Sequence, residues 1–111
     1  MRTETQNIVD SIRGSVELVS RRMDRETARH RLEEFNARVE DPTLWNDPEG
    51  AQKLMRERQI LLDKLNGVEA MERELNDNVE LIEMGEMEGD EGIVEDAESA
   101  LRSLKERAAA Q

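Results

Sequence analysis

Cysteine and tyrosine are absent from this 111-residue chain, phenylalanine, tryptophan and histidine occur once each, and there are two prolines. Without cysteine there is no disulfide and no thiolate metal site, which fits a reducing cytoplasm. With 2% aromatic and 39% charged residues, the chain cannot fill a wide, sheet-backed core. No apolar run approaches about 18 residues, so nothing is expected to span a membrane. The first residues carry Glu4, Asp10 and Glu17 within an amphipathic stretch, unlike a signal h-region or an acid-poor transit peptide.

What is abundant is Glu, Arg, Ala and Leu, which are good helix formers, and the fold class is read as all-α. The segment Glu40–Pro48 breaks the pattern. It holds both prolines, each after an aspartate, and the only tryptophan. Proline disfavours helix in the residue before it and lacks an amide donor, so one helix stops near Val39 and the next starts at Pro48, with Asp47 as its N-cap. Trp45 with Leu44 is read as a hydrophobic plug on one end of a bundle.

Beyond that hinge, Leu54, Leu61, Val68, Leu75 and Ile82 recur every seven residues, as in a coiled-coil seam. Arg58 and Glu72 interrupt the intermediate seam positions, which favours packing in a bundle over an endless zipper. A helix over 48–85 would be about 55 Å long at about 1.5 Å per residue. Upstream, Ile8, Ile12, Val16, Val19 and Met23 define an apolar face over 3–20, and Ala28, Leu32, Phe35 and Val39 another over 24–39, with Asp24 as a plausible cap; whether these are two helices or one bent helix is open. Gly85, Gly89, Asp90 and Gly92 mark a hairpin tip, and Val94, Ala97, Leu101, Leu104 and Ala108 give a last stripe over 91–110. The expected architecture is an elongated antiparallel helical bundle of three to four helices forming a single domain over 1–111. The last residues hold no stop signal, so this reads as a fragment of a longer polypeptide.

The net charge of -11 is uneven: residues 1 to 31 hold seven Arg against five acids, and the remainder nine Lys or Arg against 22 acids. From Glu69 to Glu98 there are thirteen acids and one base, Arg73, so that stretch repels phosphate backbones and no direct nucleic-acid site is expected in it. Glu74, Asp77, Glu80, Glu83 and Glu86, spaced by three, form either a solvated ridge or a docking surface for a basic partner. Met84 and Met87 near the tip are adaptable contact residues or core filling. The candidate protein-contact surface is therefore Glu80, Glu83, Glu86, Met84 and Met87. Arg21, Arg25 and Arg29 form a basic ridge whose default is pairing within the chain, with contact to RNA or an acidic protein as the alternative.

Nothing in the sequence points to catalysis. His30 has no cysteine for company and reads as a residue on a charged helix face beside Arg29 and Arg31. The six glycines form neither GxGxxG nor GxxxxGK, so no phosphate-cradling loop exists. Paired acid/base work needs carboxylates in a walled cleft, which narrow bundles rarely offer. No cofactor and no metal are expected.

The runs Arg31-Leu32-Glu33-Glu34-Phe35-Asn36-Ala37-Arg38, Asp41-Pro42-Thr43-Leu44-Trp45-Asn46-Asp47-Pro48-Glu49 and Ala51-Gln52-Lys53-Leu54-Met55-Arg56-Glu57-Arg58 closely resemble the amino-terminal domain of bacterial class I peptide chain release factors of the release factor 2 type. The Leu-Trp-Asn-Asp-Pro stretch is the specific part and argues against the release factor 1 type; the heptads are generic. The resemblance implies a role in translation termination at UGA and UAA on the ribosome. It also implies a domain that lies toward the ribosomal GTPase-associated centre and the termination GTPase. The family's Gly-Gly-Gln hydrolysis motif and Ser-Pro-Phe codon-reading motif are both missing from these residues, so no catalytic or decoding residue carries over and this stretch is not itself an enzyme. A monomer is expected. The competing reading is a free-standing coiled-coil adaptor or self-assembling structural protein, supported by the heptads alone.

Overall fold

The computed structural model describes residues 1–111 and is all-α. Helix α1 spans Thr3–Met23, α2 Arg25–Val39, α3 Pro48–Glu88 and α4 Glu91–Ala109, with a single 3₁₀ turn at Leu44–Asn46 between α2 and α3. No strand is present, and no helix is long and apolar enough to cross a membrane.

Each helix boundary has a local cause. α1 and α2 are separate helices, divided by Asp24 alone, which sits in the left-handed region at φ 49°. Its Oδ2 accepts from the Thr27 hydroxyl at 2.9 Å and its Oδ1 from the Thr27 amide at 3.4 Å, so one residue ends the first helix and caps the second. After α2, Asp41 Oδ1 accepts both the amide and the hydroxyl of Thr43, at 2.9 and 2.8 Å. Asp47 Oδ1 accepts the Gly50 amide at 3.2 Å and so caps α3 over Pro48, whose missing donor costs nothing there.

The packing falls into two compact units, Ser20–Gly67 on the one hand and Met1–Val19 with Val68–Gln111 on the other. The smaller unit buries Ala28, Phe35, Ala51, Leu54 and Leu65. Arg31 lies over the Phe35 ring, 5.4 Å from its centroid, and Arg58 Nε donates to Asn36 Oδ1 at 2.6 Å, which ties α3 to α2. Arg58 therefore occupies its seam position by hydrogen bonding across to the neighbouring helix.

The larger unit holds the deeper core: Val9, Ile12 and Val16 of α1, Val68, Met71, Leu75 and Ile82 of α3, and Ala97, Leu101, Leu104 and Ala108 of α4. Each fully buried Ile or Leu here contributes about 1.5–3 kcal/mol of transfer free energy. α3 and α4 run antiparallel and in register. Gly85 faces Val94 at one end, and further along Glu74 receives both terminal nitrogens of Arg107, at 2.6 and 3.1 Å. That fork holds the Arg107 guanidinium above its ordinary pKa through the hydrogen bonds to Glu74. Four of the five residues of the heptad column, Leu54, Val68, Leu75 and Ile82, are buried within the single chain, and Leu61 is half-buried.

The long helix expected over about 48–85 is present and runs on to Glu88, and the reversal within the expected glycine cluster takes one residue, Gly89 at φ 69°. The Asp90 amide then returns to the Gly85 carbonyl at 2.8 Å, the six-to-one bond of a Schellman closure, and Asp90 Oδ1 caps α4 through the Ile93 amide at 3.2 Å. Trp45 is not a plug: it is 58% exposed, and only Leu44 beside it is half-buried. The short 3₁₀ turn gives the two neighbours different directions, and the smaller side chain takes the inward one.

Candidate protein-contact site

The larger unit carries the whole net charge of the chain. Its six Lys or Arg face seventeen acids, whereas the smaller unit holds ten of each. Of these seventeen acids only Glu98 is buried, and the others are exposed or half-buried.

Inward, Glu98 of α4 is buried, with 4% of its surface exposed. Thr5 of α1 donates its hydroxyl to Glu98 Oε2, and Arg2 donates Nη2 to the same oxygen at 2.7 Å and Nε at 3.3 Å. The Thr5 hydrogen bond first, and the Arg2 hydrogen bonds second, hold the Glu98 carboxyl below its ordinary pKa against the opposing pull of burial. Arg2 is correspondingly raised, chiefly by its hydrogen bonds to Glu98. Nearby, the amino-terminal ammonium lies 3.0 Å from Glu86 Oε2. These groups border an open cleft of about 570 Å³ that also includes Ile82, Gly85, Glu91, Val94 and Glu95.

Neither Thr5 nor Glu98 stood out in the sequence. A signal was available: Thr5 lies four residues before Val9, and Glu98 four after Val94 and three before Leu101, so both are polar residues in buried stripe positions. The apolar face of α1 is likewise centred on Thr5, Val9, Ile12 and Val16, with Ile8, Val19 and Met23 half-buried at its margins.

Outward, at about 100° per residue the end of α3 presents Glu80, Met84 and Met87 on one face, opposite Ile82 and Leu75. A spacing of three residues steps back by about 60° each time, so the acids at 74, 77, 80, 83 and 86 wind around the helix. Glu83 thus lies at one margin of the outward face, and Glu86 comes round to the start of α1. Met87 is 88% exposed and Met84 49%, so neither fills the core, and Leu81 is exposed on the same end. Exposed methionines among carboxylates form an adaptable apolar strip inside a negative field.

In the smaller unit, His30 is exposed with Nδ1 3.7 Å from Glu33 Oε2. Arg21, Arg25 and Arg29 each take part in an interaction with another residue. A shallow groove of about 470 Å³ lies between α2 and α3, lined by His30, Arg31, Phe35, Arg38 and Glu57 among others. No group of three or more His, Cys, Asp or Glu is arranged to hold a metal ion.

Comparison with known proteins gives this helical arrangement a family. Residues 28–111 match the family model described as the PCRF domain. The chain belongs to the PCRF domain family. As a PCRF-domain chain it is 58% identical over 109 residues to peptide chain release factor 2 of Roseobacter denitrificans and 57% identical to that of a Ruegeria species. It is 50% identical to the same factor of Paramagnetospirillum magneticum. In all three the match covers 98% of this chain and 29% of the relative, so the chain spans under a third of the length of these proteins. The PCRF match takes in the Leu44–Asp47 turn, all of α3 and α4, and Glu98, while Thr5 and Arg2 precede it.

Proposed function

We propose that this chain is a helical domain of a longer bacterial class I peptide chain release factor, acting in translation termination at UGA and UAA in the cytoplasm. The observation that carries this reading is 58% identity to a release factor 2 across 98% of the chain. Codon reading and peptidyl-tRNA ester hydrolysis belong, in this reading, to parts of the polypeptide outside the 111 residues, since neither Gly-Gly-Gln nor Ser-Pro-Phe occurs within them. The domain itself serves contact with the ribosome near the GTPase-associated centre and with the termination GTPase. The contact surface is the outward end of α3, with Glu80, Met84 and Met87 at its centre, Glu83 at its margin and Glu86 beside it. The domain is monomeric: the heptad column that a partner helix would need is largely covered by the chain's own helices.

A chimera tests this. The chain replaces the matching stretch of the Roseobacter denitrificans factor, and peptide release is measured on ribosomes stalled at UGA, UAA and UAG. Release at the first two codons and not the third supports the reading; a chimera that folds but neither binds ribosomes nor releases peptide overturns it. Within the chimera, the double substitution Glu80→Lys with Glu83→Lys weakens ribosome or GTPase association, and unchanged affinity removes α3 as the contact surface.

A further inference from the structure

Trp45 is the one large aromatic side chain that the fold leaves outside, 58% exposed. A fold gains nothing from presenting an indole to water, since its area would contribute more if buried. Yet the turn that presents it is tightly built. Asp41 Oδ1 accepts the Thr43 amide and hydroxyl, the Asn46 amide donates to the Thr43 carbonyl at 3.0 Å, and Asp47 Oδ1 accepts the Gly50 amide. Pro42 and Pro48 fix the backbone on either side. The indole is therefore held out on a preorganised turn, the arrangement in which aromatic anchors cost least entropy on binding.

Charge decides what such an anchor fits. Glu40, Asp41, Asp47 and Glu49 surround Trp45 in sequence, all four are exposed, and no Lys or Arg occurs between Arg38 and Lys53. The turn is thus a local concentration of four negative charges within a unit that is neutral as a whole. Such a site repels phosphate, which argues against stacking on a nucleic-acid base. It attracts a guanidinium, which stacks flat on an indole while its N–H fork reaches carboxylates. Asp41 and Asp47 each commit Oδ1 to the turn; Asp41 Oδ2 keeps its acceptor capacity, whereas Asp47 Oδ2 is packed against Gly50.

We propose that the Trp45 turn is a docking site for a basic segment of a partner protein, an arginine side chain lying on the indole face between the carboxylates of residues 40–49. This surface lies in the smaller unit and is independent of the α3 surface assigned above, so the two stand or fall separately.

The test uses the ¹⁵N-labelled chain and a nonapeptide of alternating arginine and serine with a nitroxide at its end. The expected result is broadening centred on the amides of residues 43–47 and on the Trp45 indole N–H. Trp45→Leu keeps apolar bulk but loses the cation–π contact, so affinity read from the Leu44 and Asn46 amides should fall about two- to fivefold, with Trp45→Phe falling less. Because Trp45 is exposed, both variants keep the fold, which the unchanged amides of α2 and α3 would report. Broadening confined to residues 69–98, or equal affinity for Trp45→Leu, overturns the proposal. So does tighter binding of a single-stranded oligonucleotide than of the peptide at this turn.

Discussion

Thr5 and Glu98 lie 93 positions apart in the sequence, yet the hydroxyl of the first donates to the buried carboxylate of the second. With Arg2 on the same oxygen, the contact fastens the start of α1 to the middle of α4. A buried carboxylate is tolerable only when it is hydrogen-bonded and opposed by charge, and both conditions are met here.

Removing the hydroxyl should therefore cost more than a surface change. Thr5→Val keeps the volume but leaves Glu98 with Arg2 alone, and we expect a loss of about 1.5–3 kcal/mol in urea melts near neutral pH. A change under about 0.5 kcal/mol, the range of neutral surface substitutions, would show that the contact contributes nothing.

The same carboxylate sets a pH dependence. Its pKa in the folded chain is lower than in the unfolded chain, so its contribution is complete above the ordinary glutamate value of 4.5 and is lost as pH falls from there through the folded value. Glu98→Gln should flatten the acid limb of a stability-against-pH curve. Parallel curves for the two proteins below pH 4.5 would refute this.

Asp41 is also held below its ordinary pKa. The Thr43 amide lowers its pKa most, and the Thr43 hydroxyl adds to this. Thr43→Ala removes only the smaller contribution, so an NMR titration should find the Asp41 midpoint raised but still below 3.8. A midpoint at or above that value would mean the backbone bond is not the main cause.

Inward and outward faces at the α3–α4 end should respond differently to truncation. Leu101→Ala removes a side chain with no exposed surface and should cost about 2–5 kcal/mol. Met87→Ala, at 88% exposure, should stay within about 0.5 kcal/mol. A large loss at Met87 would show that its side chain packs in the folded chain.

The glycine at the reversal and the one four residues before it should fail for different reasons. Gly89→Ala forces an L side chain into φ 69°, at a cost of about 1–2 kcal/mol. Gly85→Ala meets Val94 Cγ2 at 2.8 Å and the Asp90 carbonyl at 3.1 Å, so its cost comes from pushing α4 away from α3. Substituting Val94→Ala in addition should recover part of the Gly85→Ala loss and none of the Gly89→Ala loss; equal recovery in both would sink the distinction.

Much of this architecture was legible without coordinates, because its causes are local. Pro42 and Pro48 forbid helix through the 40–48 segment, Asp24 and Asp47 cap the helices that follow them, and Leu54, Val68, Leu75 and Ile82 repeat at the interval that keeps one side of α3 inward. Capping, proline sterics and helical periodicity each act over fewer than about eight residues, so the sequence alone determined that the chain is helical and where most helices begin. The candidate surface is legible in part: the sequence puts Met84 and Met87 near the tip, but only the fold shows that Glu86 meets the amino terminus while Glu80 lies on the methionine face. What the tertiary structure decided was which of many similar residues are taken inside. Among 27 acids the stripe of α4 puts Glu98 in an inward register and Glu95 outside it, but only the fold brings Thr5 and Arg2 to Glu98 and so makes its burial tolerable. Gly85 packs against Val94 within the helix pair, and Trp45 faces outward where the sequence suggests a plug. Each of these depends on a partner distant in the chain, or on the direction a turn gives a side chain, and burial is a property of that whole arrangement.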